Sequence, residues 1–218
     1  GGGFHRYSTD REWKLPHFEK MLYDQALMAI ALLEAYAATG DERYARTVRG
    51  LFEYVQRELR HPRGGFSTAQ DADSEGEEGR FYVWSVQELR THLSERELQI
   101  LQRVFDLSDD GNFHEEATRQ QTGSNVLHRH RSASVDAEAL GLSEAELEEE
   151  LGRLLLHLRG IRGLRTAPDT DDKVLTDMNG LMIAAFARGA RVLGDTDLAL
   201  TASQSAEFIW RALRVPPE

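Results

Sequence analysis

A repeated segment most constrains what this chain can fold into. The stretch EKMLYDQALMAIALLEAY begins at residue 19, and DKVLTDMNGLMIAAFARGA, with one inserted residue, begins at residue 172. Lys20 and Lys173 correspond, as do Asp24 and Asp177, each pair being 153 positions apart. After its first turn each copy is apolar almost all round, which predicts a helix over 21–38 and another over 181–193, both buried on most of their surface.

A second helix with a single apolar face is predicted after each copy. GDERYARTVRGLFEYVQRELR follows the first, with Gly40 as a stop signal and Asp41 as an N-cap, and GDTDLALTASQSAEFIWRAL follows the second. A fully apolar helix followed by a one-faced partner is typical of an inner and an outer helical layer.

The middle of the chain contains a degenerate copy of this unit. Gly-Gly-Phe at 2–4 returns at 64–66, and DADSEGEEGR and FYVW follow, which predicts a small β hairpin near 66–84. Ser94 with Glu97 and Ser143 with Glu146 have the capping-box spacing that begins a helix. Residues 106–135 are predicted to be an irregular loop with a strand pair.

Loop, inner helix and outer helix thus recur three times, over about 1–61, 62–160 and 161–214. Inner helices that point their N-terminal loops at a common mouth are typical of an all-α, α/α toroid. A ring of six hairpins needs on the order of 300 residues or more, so these 218 residues form about half a ring. Half a ring exposes apolar helix faces, and we expect it to form a homodimer or aggregate through them.

Composition excludes several classes of function. A formal net charge of -11 argues against nucleic acid or an anionic membrane as partner, and a neutral sugar fits better. The chain has no cysteine, hence no disulfide and no thiolate metal site. It shows no membrane-spanning run and no secretory leader, so we expect a cytoplasmic protein. It opens on glycines without an initiator methionine, and we expect it to be a piece of a longer protein.

Three long motifs in one order, GGGFHRYSTDREWKLPHFEKMLYDQA, DADSEGEEGRFYVW and DDKVLTDMNGLMIAA, carry a family resemblance. The chain resembles the thioredoxin-domain-containing proteins of the spermatogenesis-associated family, with bacterial members called YyaL, over nearly its whole length. The resemblance implies an N-terminal thioredoxin-like domain, absent from this chain, and a six-hairpin, glycosidase-like toroid similar to N-acylglucosamine 2-epimerase. This chain then matches the central part of that toroid.

The first loop concentrates groups suited to acid/base chemistry. His5 and His17 are candidate catalytic residues, because imidazole titrates near neutrality and a pair of them could remove and return a proton beside a sugar carbonyl. The alternative is that both histidines hydrogen-bond to the backbone. The candidate binding residues of this loop and the helix after it are Arg6, Tyr7, Glu19, Lys20, Tyr23 and Asp24.

The second loop offers paired carboxylates. Asp71 and Asp73 are candidate catalytic residues for glycoside cleavage or hydration, with Glu75 as a binding group. An EF-hand calcium loop does not fit, because Tyr82 occupies the position of its bidentate glutamate. A solvated acidic turn is the alternative.

Three further candidates for substrate binding are Trp84, Asp177 and Asn179. The tryptophan is suited to stacking on a sugar ring, although aromatic residues at helix ends more often pack. Lys20 with Asp24, and Lys173 with Asp177, have the i, i+4 spacing of ion pairs, which predicts a network that holds adjacent hairpins together.

Two hypotheses follow for the function. The first is a carbohydrate-active toroid that isomerises or epimerises a sugar, or hydrolyses a glycoside, through histidine or carboxylate catalysis, with neither metal nor cofactor. The second is a non-enzymatic module that binds a client or peptide for the thioredoxin-like domain.

Overall fold

A computed structural model of the chain describes residues 2–112 and 123–214. Over these residues the fold is mostly helical, which confirms the predicted all-α class. The eight helices are α1 (Leu22–Thr39), α2 (Glu42–Glu58), α3 (Val86–His92), α4 (Glu95–Phe105), α5 (Ala133–Leu140), α6 (Glu144–Arg162), α7 (Thr176–Leu193) and α8 (Thr196–Ala212). The seven short strands are β1 (Lys20–Met21), β2 (Ala69–Gln70), β3 (Asp73–Ser74), β4 (Glu77–Glu78), β5 (Trp84–Ser85), β6 (Ser124–Asn125) and β7 (Thr170–Asp171).

The chain divides into two compact units. Unit 1 consists of Gly1–Tyr7, His17–Asp73 and Pro168–Glu218, and unit 2 consists of Ser8–Pro16 and Ser74–Ala167. The first and third predicted hairpins, α1 with α2 and α7 with α8, therefore belong to one unit. The middle region, expected as one degenerate hairpin over 62–160, contains four helices, α3 to α6.

Unit 1 is a layered pair of hairpins. Helix α1 packs against α2 and α7, and α7 packs against α8. Phe186 is at the centre of this core, with its ring stacked on Phe52 at 4.6 Å and on Phe66 at 5.4 Å between centroids. The predicted stops are confirmed, since Gly40 ends α1 in the left-handed conformation at φ 69° and the Asp41 carboxylate accepts from the Arg43 amide at the start of α2.

Helix α1 is buried on one side instead of nearly all round. Leu22, Ala29 and Leu33 are fully buried, but Leu27 and Met28 are 52% and 36% exposed. The reason is the number of neighbours, because in the described part of the chain α1 packs mainly between α2 and α7. Its opposite apolar face consequently remains open.

The three repeated loops contribute one strand each to a three-stranded antiparallel sheet in unit 1. Strand β2 is central, with β1 on one side, where Lys20 pairs with Gln70, and β7 on the other, where Thr170 pairs with Gln70. The sheet thus places the segment before α1, the segment before the DADSEG loop and the segment before α7 next to one another.

Two side-chain amides hold the two Gly-Gly-Phe segments in equivalent ways. Gln25 of α1 accepts from the Phe4 amide at 2.7 Å and donates to the Phe4 carbonyl at 2.7 Å. Asn179 of α7 accepts from the Phe66 amide at 2.8 Å and donates to the Phe66 carbonyl at 3.0 Å. We call these contacts the amide clasps. Gly65 has φ 70°, and a Cβ there would lie 2.9 Å from the Asn179 side-chain oxygen, so the second clasp requires a glycine at this position.

Unit 2 has its own core around Trp84 and the buried leucines of α4 and α6. The predicted capping boxes are both formed, by Ser94 with Glu97 at α4 and by Ser143 with Glu146 at α6. Strand β3 pairs with β4 as the hairpin predicted near 66–84. Strand β5 pairs with β6, so the predicted strand pair in 106–135 is partly seen, while residues 113–122 lie outside the described residues.

Candidate functional site

The first loop folds back on itself and brings its polar residues together at the N-terminal end of α1. The His17 amide donates to the Tyr7 carbonyl at 2.9 Å, which pairs residues 5–7 with residues 17–19. The Nδ1 atom of His5 lies 2.8 Å from the Phe18 carbonyl oxygen. Because a carbonyl oxygen accepts but cannot donate, Nδ1 carries the proton of this bond. His5 therefore has the backbone contact that the structural interpretation of the sequence anticipated.

Arg6 is the centre of the polar cluster that results. Its guanidinium donates to Glu19 at 2.7 Å and to the Tyr23 hydroxyl at 2.7 Å. Its Nε lies 3.9 Å from the Asp24 carboxylate. The hydrogen bond to Glu19 raises the pKa of Arg6, so the guanidinium stays protonated throughout the physiological range. We call Arg6, Glu19, Tyr23 and Asp24 the Arg6 cluster.

Asp24 is the acid of this cluster with a perturbed protonation equilibrium. Burial raises the pKa of its carboxyl group, the nearby Arg6 cation opposes that rise, and the Glu19 carboxylate adds to it. Its Oδ2 atom is buried and has no hydrogen-bond partner among the described residues. A carboxyl group with these properties can take up and release a proton nearer neutral pH than a solvated aspartate.

Two aromatic rings lie beside the Arg6 cluster. Tyr7 and His17 stack at 4.9 Å with 19° between their planes, and Tyr7 is 52% exposed. The Nδ1 atom of His17 is buried and has no hydrogen-bond partner among the described residues. The Arg6 guanidinium lies 5.8 Å from the centre of the Tyr7 ring. Together these groups present a ring face next to a cation and two carboxylates, which suits a polar ligand with an apolar face.

The two predicted lysine–aspartate ion pairs are not the contacts that the structure has. Lys20 is buried, donates to the Gly2 carbonyl at 2.9 Å and lies 4.7 Å from the centre of the Tyr54 ring. Lys173 pairs with Asp171 at 2.9 Å. Side chains that precede a helix are directed by the strand they lie on, and both lysines lie in or beside a strand of the three-stranded sheet, so the helical i, i+4 spacing does not apply to them.

The carboxylates of the second loop are placed differently from those of the Arg6 cluster. The Asp71 side chain accepts from the amides of Ala72 at 2.6 Å and Asp73 at 3.3 Å, so it caps its own turn. The Asp73 residue is exposed. Glu75 belongs to unit 2, where it pairs with Arg80 at 3.0 Å.

The remaining three candidates have structural contacts. Trp84 is 2% exposed in the core of unit 2, with the Arg165 guanidinium 4.0 Å from its ring centre, so its faces are covered by protein. Asn179 forms the second amide clasp and is fully buried. Asp177 is exposed and accepts from the Met178 amide in the first turn of α7.

Sequence reasoning missed Gln25, the partner of Phe4 in the first amide clasp. A signal for it exists, because the one inserted residue in the second copy aligns Gln25 with Asn179 just as the two Gly-Gly-Phe segments recur. Within the described residues no group of three or more histidine, aspartate or glutamate side chains is arranged to hold a metal ion. None of the helices in the part of the chain that the structure describes is long and apolar enough to cross a membrane.

Comparison with known proteins identifies relatives of this chain. It is 39% identical over 228 aligned residues to human spermatogenesis-associated protein 20 and 38% identical to the mouse protein, in both cases over 97% of this chain and 29% of the relative. It is 29% identical to an uncharacterised protein of Caenorhabditis elegans, over 98% of this chain and 31% of that protein. The chain thus spans under a third of the length of these relatives.

Two other comparisons add little. No model of a known protein family matches the chain. A crystal structure of D-mannose isomerase is similar with 16% identity and a TM-score of 0.33, covering 96% of this chain and 45% of that one, a likeness too low to bear on this fold or its activity. The sequence matches confirm what the three motifs predicted: the chain belongs to the family of spermatogenesis-associated protein 20 and corresponds to one part of it.

Proposed function

We propose that the Arg6 cluster, with Tyr7 and His17 beside it, binds a sugar and transfers a proton on it, as an aldose–ketose isomerase or a sugar epimerase does. The observation that carries the proposal is Asp24, a carboxyl group whose burial raises its pKa and whose Oδ2 has no partner among the described residues. Such a group is the acid/base that isomerisation beside a carbonyl requires.

The reaction needs one proton to move between neighbouring carbons. The Asp24 carboxylate accepts the proton from C2 of an aldose, and the electron pair of the broken C–H bond forms the C1–C2 double bond of an enediol. Asp24 returns the proton to C1, while the hydroxyl proton moves from the C2 oxygen to the C1 oxygen. For epimerisation the proton returns to the opposite face of C2. No atom is gained or lost in either case.

The neighbouring groups have separate tasks in this proposal. Arg6 favours the negative charge that develops on the sugar oxygen as the carbon loses its proton. His17 titrates in the range needed to move the hydroxyl proton. The exposed Tyr7 ring stacks on the apolar face of the sugar. Net charge supports a neutral ligand over a polyanion, since the chain carries a formal -11.

Hydrogen exchange between the sugar and solvent tests the proposal. The purified protein is incubated in D₂O with neutral aldoses, ketoses and N-acyl hexosamines, and proton NMR follows loss of the signal from the carbon beside the carbonyl. We expect exchange with one class of sugar, and Asp24→Asn should lower its rate by about 10²- to 10⁴-fold. Asp197→Asn is the matched control, because Asp197 is an exposed aspartate in the first turn of α8.

Absence of exchange with every sugar would overturn the proposal. That result would favour the non-enzymatic alternative, a module that binds a client. The described feature that best fits such a role is Trp13, which is 78% exposed and has φ 59° in a loop whose amides donate to the Asp10 carboxylate.

A further inference from the structure

Unit 2 contains a cavity of about 510 Å³ that the proposed function does not use. One side is formed by residues 80–85, which lead into α3, and the other by residues 164–166, which follow α6. Ser74 and Glu75 of the DADSEG motif also contact it. Its volume lies in the range of small-molecule sites.

The charged groups that line this cavity are paired with one another. Arg80 lies 3.0 Å from Glu75, and Arg165 lies 2.8 Å from Glu88. Each lining arginine thus has a lining carboxylate within ion-pair distance, and the formal charges of the four groups cancel. An anionic ligand would have to compete with a carboxylate for either guanidinium, so the arrangement disfavours phosphates and carboxylic acids.

The rest of the lining is hydroxyl groups with a few apolar side chains. The hydroxyl groups come from Ser74, Ser85, Ser124 and Thr166, and the apolar surface comes from Phe81, Val83 and Leu164. Paired charges, several hydroxyl groups and one aromatic ring are the components that recognise a polyhydroxylated molecule. Such a ligand offers both donors and acceptors to the polar groups and an apolar C–H face to the ring.

Arg165 holds the floor of the cavity in a fixed shape. It donates to the carbonyls of Phe81 and Val83, each at 2.9 Å, and to Glu88 at 2.8 Å, and it covers the Trp84 ring at 4.0 Å. One side chain therefore ties the segment before α3 to the segment after α6. Because these contacts exist without a ligand, binding requires little reordering of the lining.

We propose that this cavity is a saccharide-binding site for a neutral mono- or oligosaccharide, with Glu75, Arg80, Glu88 and Arg165 as the polar groups and Phe81 as the stacking ring. The site consists of residues of unit 2 alone, whereas the Arg6 cluster belongs to unit 1. It therefore stands independently of the proposed isomerisation.

Leu164 allows the site to be tested without disturbing the fold. It lines the cavity and is 89% exposed, so Leu164→Lys removes few packing contacts while it places a long charged side chain at the cavity wall. Leu156→Lys is the matched control, because Leu156 is 68% exposed on α6 and does not line the cavity. Circular dichroism verifies that both variants remain folded.

Binding is measured by isothermal titration and by backbone amide NMR shifts, with neutral monosaccharides and disaccharides, glucose 6-phosphate and inorganic phosphate as probes. We expect a neutral saccharide to shift the amides of residues 80–85 and 164–166. Leu164→Lys should weaken its binding about tenfold, as loss of a well-formed set of contacts does, and Leu156→Lys should leave it unchanged. Asp24→Asn should also leave it unchanged, which separates this site from the Arg6 cluster.

Three results would overturn the proposal. One is that no neutral saccharide shifts the amides that line the cavity. Another is that Leu164→Lys and Leu156→Lys bind the saccharide equally well. The third is that glucose 6-phosphate or inorganic phosphate binds there and neutral sugars do not, since the ion-paired lining would then be an anion site.

Discussion

Replacing Asn179 by alanine should destabilise unit 1 strongly. The substitution removes the second amide clasp and leaves the buried amide and carbonyl of Phe66 without their partner. An unsatisfied buried polar group costs about 1–3 kcal/mol, so two of them cost about 2–6 kcal/mol. Alanine regains about 0.5 kcal/mol because it is the better helix former. We expect the free energy of unfolding to fall by about 2–5 kcal/mol.

The next residue of the same helix provides the matched control. Gly180 is exposed, and a Cβ added there meets no described atom within 4 Å. Gly180→Ala should therefore raise stability by about 0.5–1 kcal/mol. Urea unfolding followed by circular dichroism gives both values, and hydrogen exchange reads the Phe66 amide directly. An Asn179→Ala protein that unfolds within 0.5 kcal/mol of the parent (about the spread of surface substitutions), with the Phe66 amide still protected, would refute the reasoning.

Two further predictions concern unit 2 and the open face of α1. Backbone and Arg153 hydrogen bonds lower the pKa of Glu97 to about 2, so its contribution to stability is present above the ordinary pKa of 4.5 and is lost as pH falls toward 2; the difference in urea midpoint between the parent and Glu97→Gln should accordingly be largest at pH 7 and vanish near pH 2, and a pH-independent difference would contradict it. Leu27 and Met28 are 52% and 36% exposed, so light scattering should detect self-association that Leu27→Asp with Met28→Asp reduces, whereas a parent protein that is monomeric at high concentration would contradict the prediction.

The parts of the fold that were predictable are those fixed by residues near one another in sequence. The two capping boxes place the relevant serine and glutamate three residues apart, and the hydrogen bonds that define them lie within one turn. Gly40 ends α1 because the left-handed conformation it adopts needs no distant contact. The paired inner and outer helices likewise follow from the periodicity of each segment alone.

The parts that were not predictable depend on contacts between distant residues. The residue type and position of Asn179 fit a substrate-binding loop, but its partner Phe66 is 113 residues away. Trp84 resembles a stacking platform in sequence, yet it is buried because α4 and α6 supply a core around it and Arg165 covers its ring. Of the expected site, the cluster at the end of α1 assembles because its residues lie within one folded-back loop, whereas Asp71 is occupied by its own turn.

The discontinuity of unit 1 has a consequence for the order in which the protein can fold as it is synthesised. Strand β2 and Phe66 leave the ribosome well before β7 and Asn179, with most of unit 2, residues 74–167, made in between. Until α7 emerges, one edge of β2 and the backbone groups of Phe66 have no partner, whereas most contacts of unit 2 lie within one continuous stretch. Unit 2 should therefore be able to fold during translation, while unit 1 must wait for the C-terminal hairpin and close a loop of about a hundred residues, a step that slows folding.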